Sequence, residues 1–180
     1  MKLAEANSLR RKALAMLRRA AIGVTKEEAL SIEVADFGLN DVKNMGLELI
    51  VYHNDDRYCA KELILFPFQT CPEHRHPPID ERNIGKQETF RCRWGKVYLY
   101  VAGASTPKAK AKIPAKYKPY FSVWHEIVLE QGDQYTISPN TLHWFQAGKD
   151  GAIVSEFSSK SMDERDVFTD PNIKRMPVYE

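Results

Sequence analysis

Cysteine is scarce in this sequence: Cys59, Cys71 and Cys92 are widely spaced, and no Cys-x-x-Cys pair occurs. A disulfide framework and a zinc ribbon are thereby excluded, and a reducing cytoplasm is the expected compartment. Long apolar runs are missing too. The opening MKLAEANSLRRKALAMLRRA is broken by charges, so it lacks the apolar stretch of a signal peptide, and no later segment is apolar enough to cross a bilayer. A soluble, unexported protein is expected, with no membrane partner. Charge of one sign is not in excess either. The 26 Lys and Arg against 24 Asp and Glu leave a formal net charge of +2, without the concentrated basic face of a nucleic-acid binder. Repeats and low-complexity tracts are absent, and 180 residues at 43% hydrophobic content suit one well-filled domain.

What is present begins with helices. From Leu3 to Ala21 the residues Leu9, Ala13, Leu14, Leu17 and Ala20 recur at three- and four-residue spacing, leaving Arg10, Arg11, Arg18 and Arg19 on another face. That pattern predicts an amphipathic helix with a solvated basic side. Thr25-Lys26-Glu27-Glu28 has the form of a capping box, so a second, short helix is expected to start there. After Gly46 the period changes. LELIVYH, YCAKELILFPF, ETFRCRW, KVYLYVAG, FSVWHEIVLE, QYTIS, LHWFQAG and AIVSEFS are β-branched and aromatic runs separated by turn residues. Many short strands at close intervals predict an antiparallel barrel or sandwich. The expected organisation is a helical segment over 1–45 packed on a barrel over 46–180, a single structural domain overall. GASTPKAKAKIPAKYKPY, residues 103–120, has five lysines and no sustained apolar period. It reads as an exposed, flexible hairpin excursion.

The chemistry gathers around histidine. His74 and His76 are separated by one residue, so on a strand both point to one face while Glu73 and Arg75 point away. A lone histidine is more often a hydrogen-bonded core residue than a ligand, so a metal site needs further donors. Glu88 opens ETFRCRW, and His143 follows the turn Ser138-Pro139-Asn140-Thr141.

With these positions the chain resembles the cupins, whose first motif runs His-x-His, Glu, six residues, Gly, and whose second runs Gly, five residues, Pro-x-Gly, two residues, His. Here the first is His74-Arg75-His76, Glu88 and Gly95, and the second is Gly132, Ser138, Asn140 and His143. Ser138 replaces the family proline, Asn140 replaces a glycine but tolerates a left-handed backbone, and Phe68 stands where the motif often begins with glycine. Eleven residues, Pro77 to Gln87, separate His76 from Glu88, more than is usual. Glu73 and Glu81 are the rivals of Glu88. The resemblance implies a mainly β fold, a cupin-type double-stranded β-helix or jelly-roll barrel with N-terminal helices. His74, His76, Glu88 and His143 would then bind one divalent metal. Three imidazoles and one carboxylate on a six-coordinate ion leave exchangeable positions and suit Mn²⁺ first, with Co²⁺, Fe²⁺ or Ni²⁺ as alternatives. Zn²⁺ is disfavoured because four protein donors fill a tetrahedral shell.

EHRHPP, GKQETFRCRWGKVYLY, WHEIVLEQGDQYTISPNTLHWFQAG, AIVSEFSS and DVFTDP further resemble the D-lyxose ketol-isomerases, metal-dependent cupins that interconvert D-lyxose and D-xylulose, over roughly residues 45–175. The resemblance implies a sugar substrate, a homodimer, and proton transfer by Glu156 and Asp166. Glu156 lies on an apolar strand with Ala152 and Val154, where a carboxylate is costly unless paired; Asp166 lies in the polar SMDERD, where capping a turn is the competing account. Lys61 and Lys86 are candidates for binding sugar hydroxyls, against the alternative of outward-facing lysines with packed stems. Trp144, with Phe145, is a candidate wall for the sugar, against ordinary barrel filling. The competing functions are a sugar-phosphate isomerase using Lys86, Arg82, Arg91 or Arg93, an Fe²⁺ cupin dioxygenase, and a non-catalytic sugar-binding cupin.

Overall fold

The computed structural model describes all 180 residues. Two helices lead. α1 (Leu3–Arg19) buries Ala6, Leu9, Ala13, Met16 and Leu17 along one stripe, as its period requires. α2 (Lys26–Ser31) starts at the expected capping box: Thr25 Oγ1 accepts from Glu28 N, and Thr25 N donates to Glu28 Oε2.

Nine strands follow: β1 (Glu33–Ala35), β2 (Leu47–Asn54), β3 (Cys59–Leu65), β4 (Thr70–Arg75), β5 (Glu88–Val101), β6 (His125–Glu130), β7 (Gln134–Ile137), β8 (His143–Ser158) and β9 (Val167–Phe168). All pairings between them are antiparallel. The long strands β5 and β8 each serve two sheets. The C-terminal half of β8 pairs with β3 and with the N-terminal half of β5, which continues to β7. The N-terminal half of β8 pairs with β4 and with the C-terminal half of β5, which continues to β6. The result is the cupin-type double-stranded β-helix that the motifs imply.

Runs that read as separate strands are therefore single, bent ones. ETFRCRW and KVYLYV form β5, and LHWFQAG and AIVSEFS form β8, with the register shifting near Gly95. Gly95 has φ +75°, and a Cβ there would lie 2.1 Å from Gly151 O, so glycine lets the two strands cross at the corner rather than end.

The main core fills the space between the sheets with residues such as Leu47, Leu49, Leu63, Phe90, Phe145 and Val154. α1 covers the outside of one sheet, packing Ala13, Met16 and Leu17 on Ile50, Ile64 and Ile153. The lysine-rich stretch differs from expectation. Ile113, Tyr117 and Phe121 are buried with Tyr100 and Trp144, so these apolar side chains fasten the segment to the barrel. No helix is long and apolar enough to cross a membrane.

Candidate active site

β4 and β8 set His74 and His143 directly opposite each other, and the two-residue period carries His76 to the same side as His74. The candidate ligand atoms of His74, His76 and His143 all lie within 4.8 Å of one another. Glu88, the first residue of β5, brings Oε1 to 2.9 Å from His143 Nε2 and 3.2 Å from His76 Nε2. The Pro77–Gln87 insertion thus closes back on the histidines. Gly85 allows it: φ is +103°, and a Cβ would lie 2.4 Å from His76 O. The rival carboxylates are elsewhere. Glu73 points away and accepts from Ser122, Val123 and Thr169, while Glu81 is exposed on the loop. Asn140 and Phe68, at positions where the cupin pattern has glycine, take left-handed backbones with φ of 58° and 60°.

The hydrogen bonds fix which nitrogen of each ring faces the centre. Nδ1–H of His74 donates to Pro72 O at 2.8 Å, and that of His143 to Thr141 O at 2.9 Å. Nδ1 of His76 lies 2.5 Å from Asp166 Oδ1. Nε2 of His74 and of His143 is therefore left with a lone pair aimed inward, and Asp166 orients His76 so that its Nε2 faces the same centre, the arrangement by which a neighbouring acceptor prepares a histidine for a metal. Burial, reinforced by His143 and His76, pushes His74 well below the usual histidine range. Nε2 of His143 is buried without a hydrogen-bond partner although Glu88 Oε1 is 2.9 Å away. Two lone pairs at that distance repel unless a cation sits with them.

Charge leads to the same conclusion. In the ion pairs around the cluster, Glu33, Glu88, Glu156, Asp163 and Asp166 outnumber the permanent cations that pair with them, Lys61, Lys86 and Arg175. A bound cation would offset that excess. Burial pulls His76 down, but Glu88 and Asp166 outweigh it and push it up to about 9, the response of a site short of positive charge. The residues fit a divalent metal.

Glu156, on β8 opposite Lys61 and Phe90, faces the interior with Ala152 and Val154. Lys86 Nζ bridges it to the cluster, 2.5 Å from Glu156 Oε1 and 2.7 Å from Glu88 Oε2. Burial would lower Lys86, but Glu156 and Glu88 dominate and hold the ammonium well above its usual range. Lys61 is buried and donates to Ser161 Oγ and Asp163. These groups line a cavity with apolar walls from Leu47, Leu49, Leu63 and Phe145.

Trp144 is a correction. Next to inward-facing His143 on an extended strand, it must face outward; it stacks on Tyr100 at 3.9 Å, and its Nε1 donates to Val123 O. Phe145 lines the cavity in its place. Arg91 and Arg93 hydrogen-bond Gln134 and Ser155, away from the cavity, so they offer no phosphate seat. Asp166 ends the 3-10 turn Asp163–Arg165 and meets His76. Sequence reasoning missed Asp163 and Arg175. Arg175 pairs with Glu33 and Asp163, and Lys61 holds Asp163 from the barrel side, so the C-terminal segment is clamped across the cavity. Only the polar turn around SMDERD hinted at this.

The solved structures most like this fold include the L-ribose isomerase of Acinetobacter sp. DL28 in complex with L-ribose, with a TM-score of 0.81 at 15% identity, covering 96% of this chain and 94% of that one. A 66% identical relative, the D-lyxose ketol-isomerase of Thermofilum sp. (strain ex4484_79), aligns over 93% of each chain. The D-lyxose/D-mannose isomerase of Thermosediminibacter oceani is 60% identical over 100% of this chain and 99% of its own. A family model described as D-lyxose isomerase matches residues 10–180. With that match and those relatives, this chain belongs to the D-lyxose isomerase family, whose members are aldose-ketose isomerases.

Proposed function

We propose that this chain interconverts D-lyxose and D-xylulose, and D-mannose and D-fructose, by moving a proton between C1 and C2 of the open-chain sugar. The observation that carries the reading is a carboxylate outside the histidine cluster but joined to it through one ammonium: Glu156, Lys86 and Glu88 in series at 2.5 and 2.7 Å. The names of the 66% and 60% identical relatives support the choice of sugars.

The C–H bond next to a carbonyl is a weak acid, so the negative charge that develops on O1 and O2 must be stabilised. A divalent ion held by His74, His76, His143 and Glu88 supplies that stabilisation when bound, with Mn²⁺ favoured by the nitrogen and oxygen donor set. The chain's own residues do the rest. Glu156 takes the proton from C2 of the aldose and returns it to C1, while the O2 hydroxyl proton passes to O1 so that the carbonyl moves from C1 to C2; the carboxylate's role is worth about 10² to 10⁴ in rate. Lys86, 2.5 Å from Glu156 Oε1, aims that carboxylate. Asp166 enters as the acceptor that orients His76, in place of the proton-carrying role that resemblance implied. The apolar walls keep bulk water from the proton in transit.

A dioxygenase would have no use for Glu156 beside Lys86. The test is incubation of Mn²⁺-loaded protein with D-lyxose and with D-mannose, which should give D-xylulose and D-fructose. Ketose from neither sugar would reject the proposal. A homodimer in the cytoplasm belongs to the same reading, and light scattering at twice the 20.7 kDa chain mass would support the dimer.

A further inference from the structure

Two clefts meet at His76, Lys86 and Asp166. One is the apolar-walled cavity described above. The other runs outward between the Pro77–Lys86 loop and residues 160–165, with Ile79, Asn83, Met162 and Arg165 in its walls. We infer that this outer cleft holds the distal end of the sugar, from C4 onward, and that Met162 and Ile79 set the preference between five-carbon and six-carbon aldoses. The inference rests on the isomerase reading, which puts O1 and O2 at the histidines and C1 and C2 at Glu156.

From that anchor the remaining carbons can run inward or outward. Inward lie Leu47, Leu49, Leu63 and Phe145, which offer hydroxyls nothing. The polar groups there are already engaged with one another: Lys61 with Ser161 and Asp163, and Arg175 with Glu33 and Asp163. Hydroxyls sent that way would be buried without partners. The outward cleft has the reverse character. The Arg165 guanidinium has no ion-pair or hydrogen-bond partner, and the Asn83 side chain uses only Oδ1, accepting from Gly85 N, so its amide nitrogen is free to donate. Ile79 and Met162 present carbon surface for the sugar's C–H faces.

The wall is also held in register with the histidines. Ile79 N donates to Asn83 O at 2.9 Å, closing a tight turn, and Gly85 is pressed against the His76 carbonyl. A displacement of Ile79 or Asn83 is thus measured from His76 itself. D-Mannose extends D-lyxose by one CHOH unit at this end. A wall contact with one such group discriminates by roughly 10- to 200-fold, which makes the cleft's size a specificity device.

The experiment compares kcat/KM for D-mannose and D-lyxose in the Mn²⁺-loaded full chain carrying Met162→Trp, Met162→Ala or Arg165→Gln. Filling the cleft with Met162→Trp should lower the mannose-to-lyxose ratio by about tenfold or more, and Met162→Ala should raise it about threefold. Arg165→Gln should raise KM for both sugars more than it lowers kcat. If Met162→Trp fails to fold, Ile79→Ala takes its place and should raise the ratio as Met162→Ala does. A ratio unmoved in every active Met162 and Ile79 variant would overturn the inference while leaving the isomerase reading intact. Absence of ketose with the unaltered chain would instead defeat that reading and the inference with it.

Discussion

Glu88 and Glu48 are glutamates on strands of one barrel, 2% and 0% exposed, yet they are handled in opposite ways. Glu88 opens β5 at the histidine cluster. Burial alone would raise it, but Lys86 and His76 more than compensate and hold it well below the usual carboxylate range. Glu48 lies on the other face of β2, on the side that carries Ile50 and Ile64 against α1. Its one hydrogen-bond partner is Gln69 Nε2 at 3.3 Å, and Oε2 has none. There burial wins and pushes Glu48 up to about 8. A buried carboxylate left to itself becomes a neutral acid; a charged one has to be surrounded by cations, and it is surrounded where the chemistry is.

The sharpest test of that contrast is Glu156→Gln, which removes the proposed proton carrier but keeps its shape. Turnover should fall by about 10²- to 10⁴-fold while metal content stays at the unaltered level. Equal activity in the two proteins would remove Glu156 from the mechanism. Lys86→Met would make the active site resemble the surroundings of Glu48 by leaving Glu88 and Glu156 with less compensation. A loss of about 3 to 5 kcal/mol in unfolding free energy is expected in metal-free protein, measured by denaturant titration. Asp166→Asn keeps an acceptor on His76 but removes its charge. Metal affinity should drop by about 10- to 100-fold in calorimetric titration, and an unchanged affinity would show that His76 needs no carboxylate.

Glu48→Gln leaves the active site untouched and has the opposite sign, stabilising the chain and only at high pH. Between the ordinary 4.5 and the folded-state value of about 8, the native protein keeps a proton on Glu48 that the unfolded chain releases. Native stability therefore falls as pH rises through that window and levels off above it. The glutamine variant should match the unaltered protein in acid and be the more stable of the two in alkali. Thermal unfolding at both ends of the window checks this, and a constant difference across pH would show that Glu48 does not titrate there.

The same two glutamates show how much of the molecule was legible in the sequence. For the three histidines the local rules were sufficient, whereas Glu88 kept rivals in Glu73 and Glu81 until the Pro77–Gln87 loop was seen to close back on the cluster. His74 and His76 at a two-residue spacing, a glutamate opening a strand and a histidine after a turn converge because strand alternation decides which way each points. The rule also places Trp144 outward, once it is applied to Trp144 as strictly as to His143. Glu48 was illegible. In LELI the alternation reads Glu48 as solvent-facing, and so it would be, except that α1 returns to cover that side of the sheet. The joining of short runs into β5 and β8 was hidden for a related reason: Gly95 looks like a terminator but acts as a corner. Asp163 and Arg175 meet only because the C-terminal segment crosses the cavity, a contact between distant residues that no spacing records.

On the reading proposed above, three histidine Nε2 atoms and Glu88 hold one divalent ion beside the proton-transfer carboxylate. Anomalous scattering from crystals grown with Mn²⁺ tests it most directly. The predicted result is a single strong peak per chain between His74, His76, His143 and Glu88, absent in His143→Ala crystals; a map without density there, or with manganese bound elsewhere, would contradict the account.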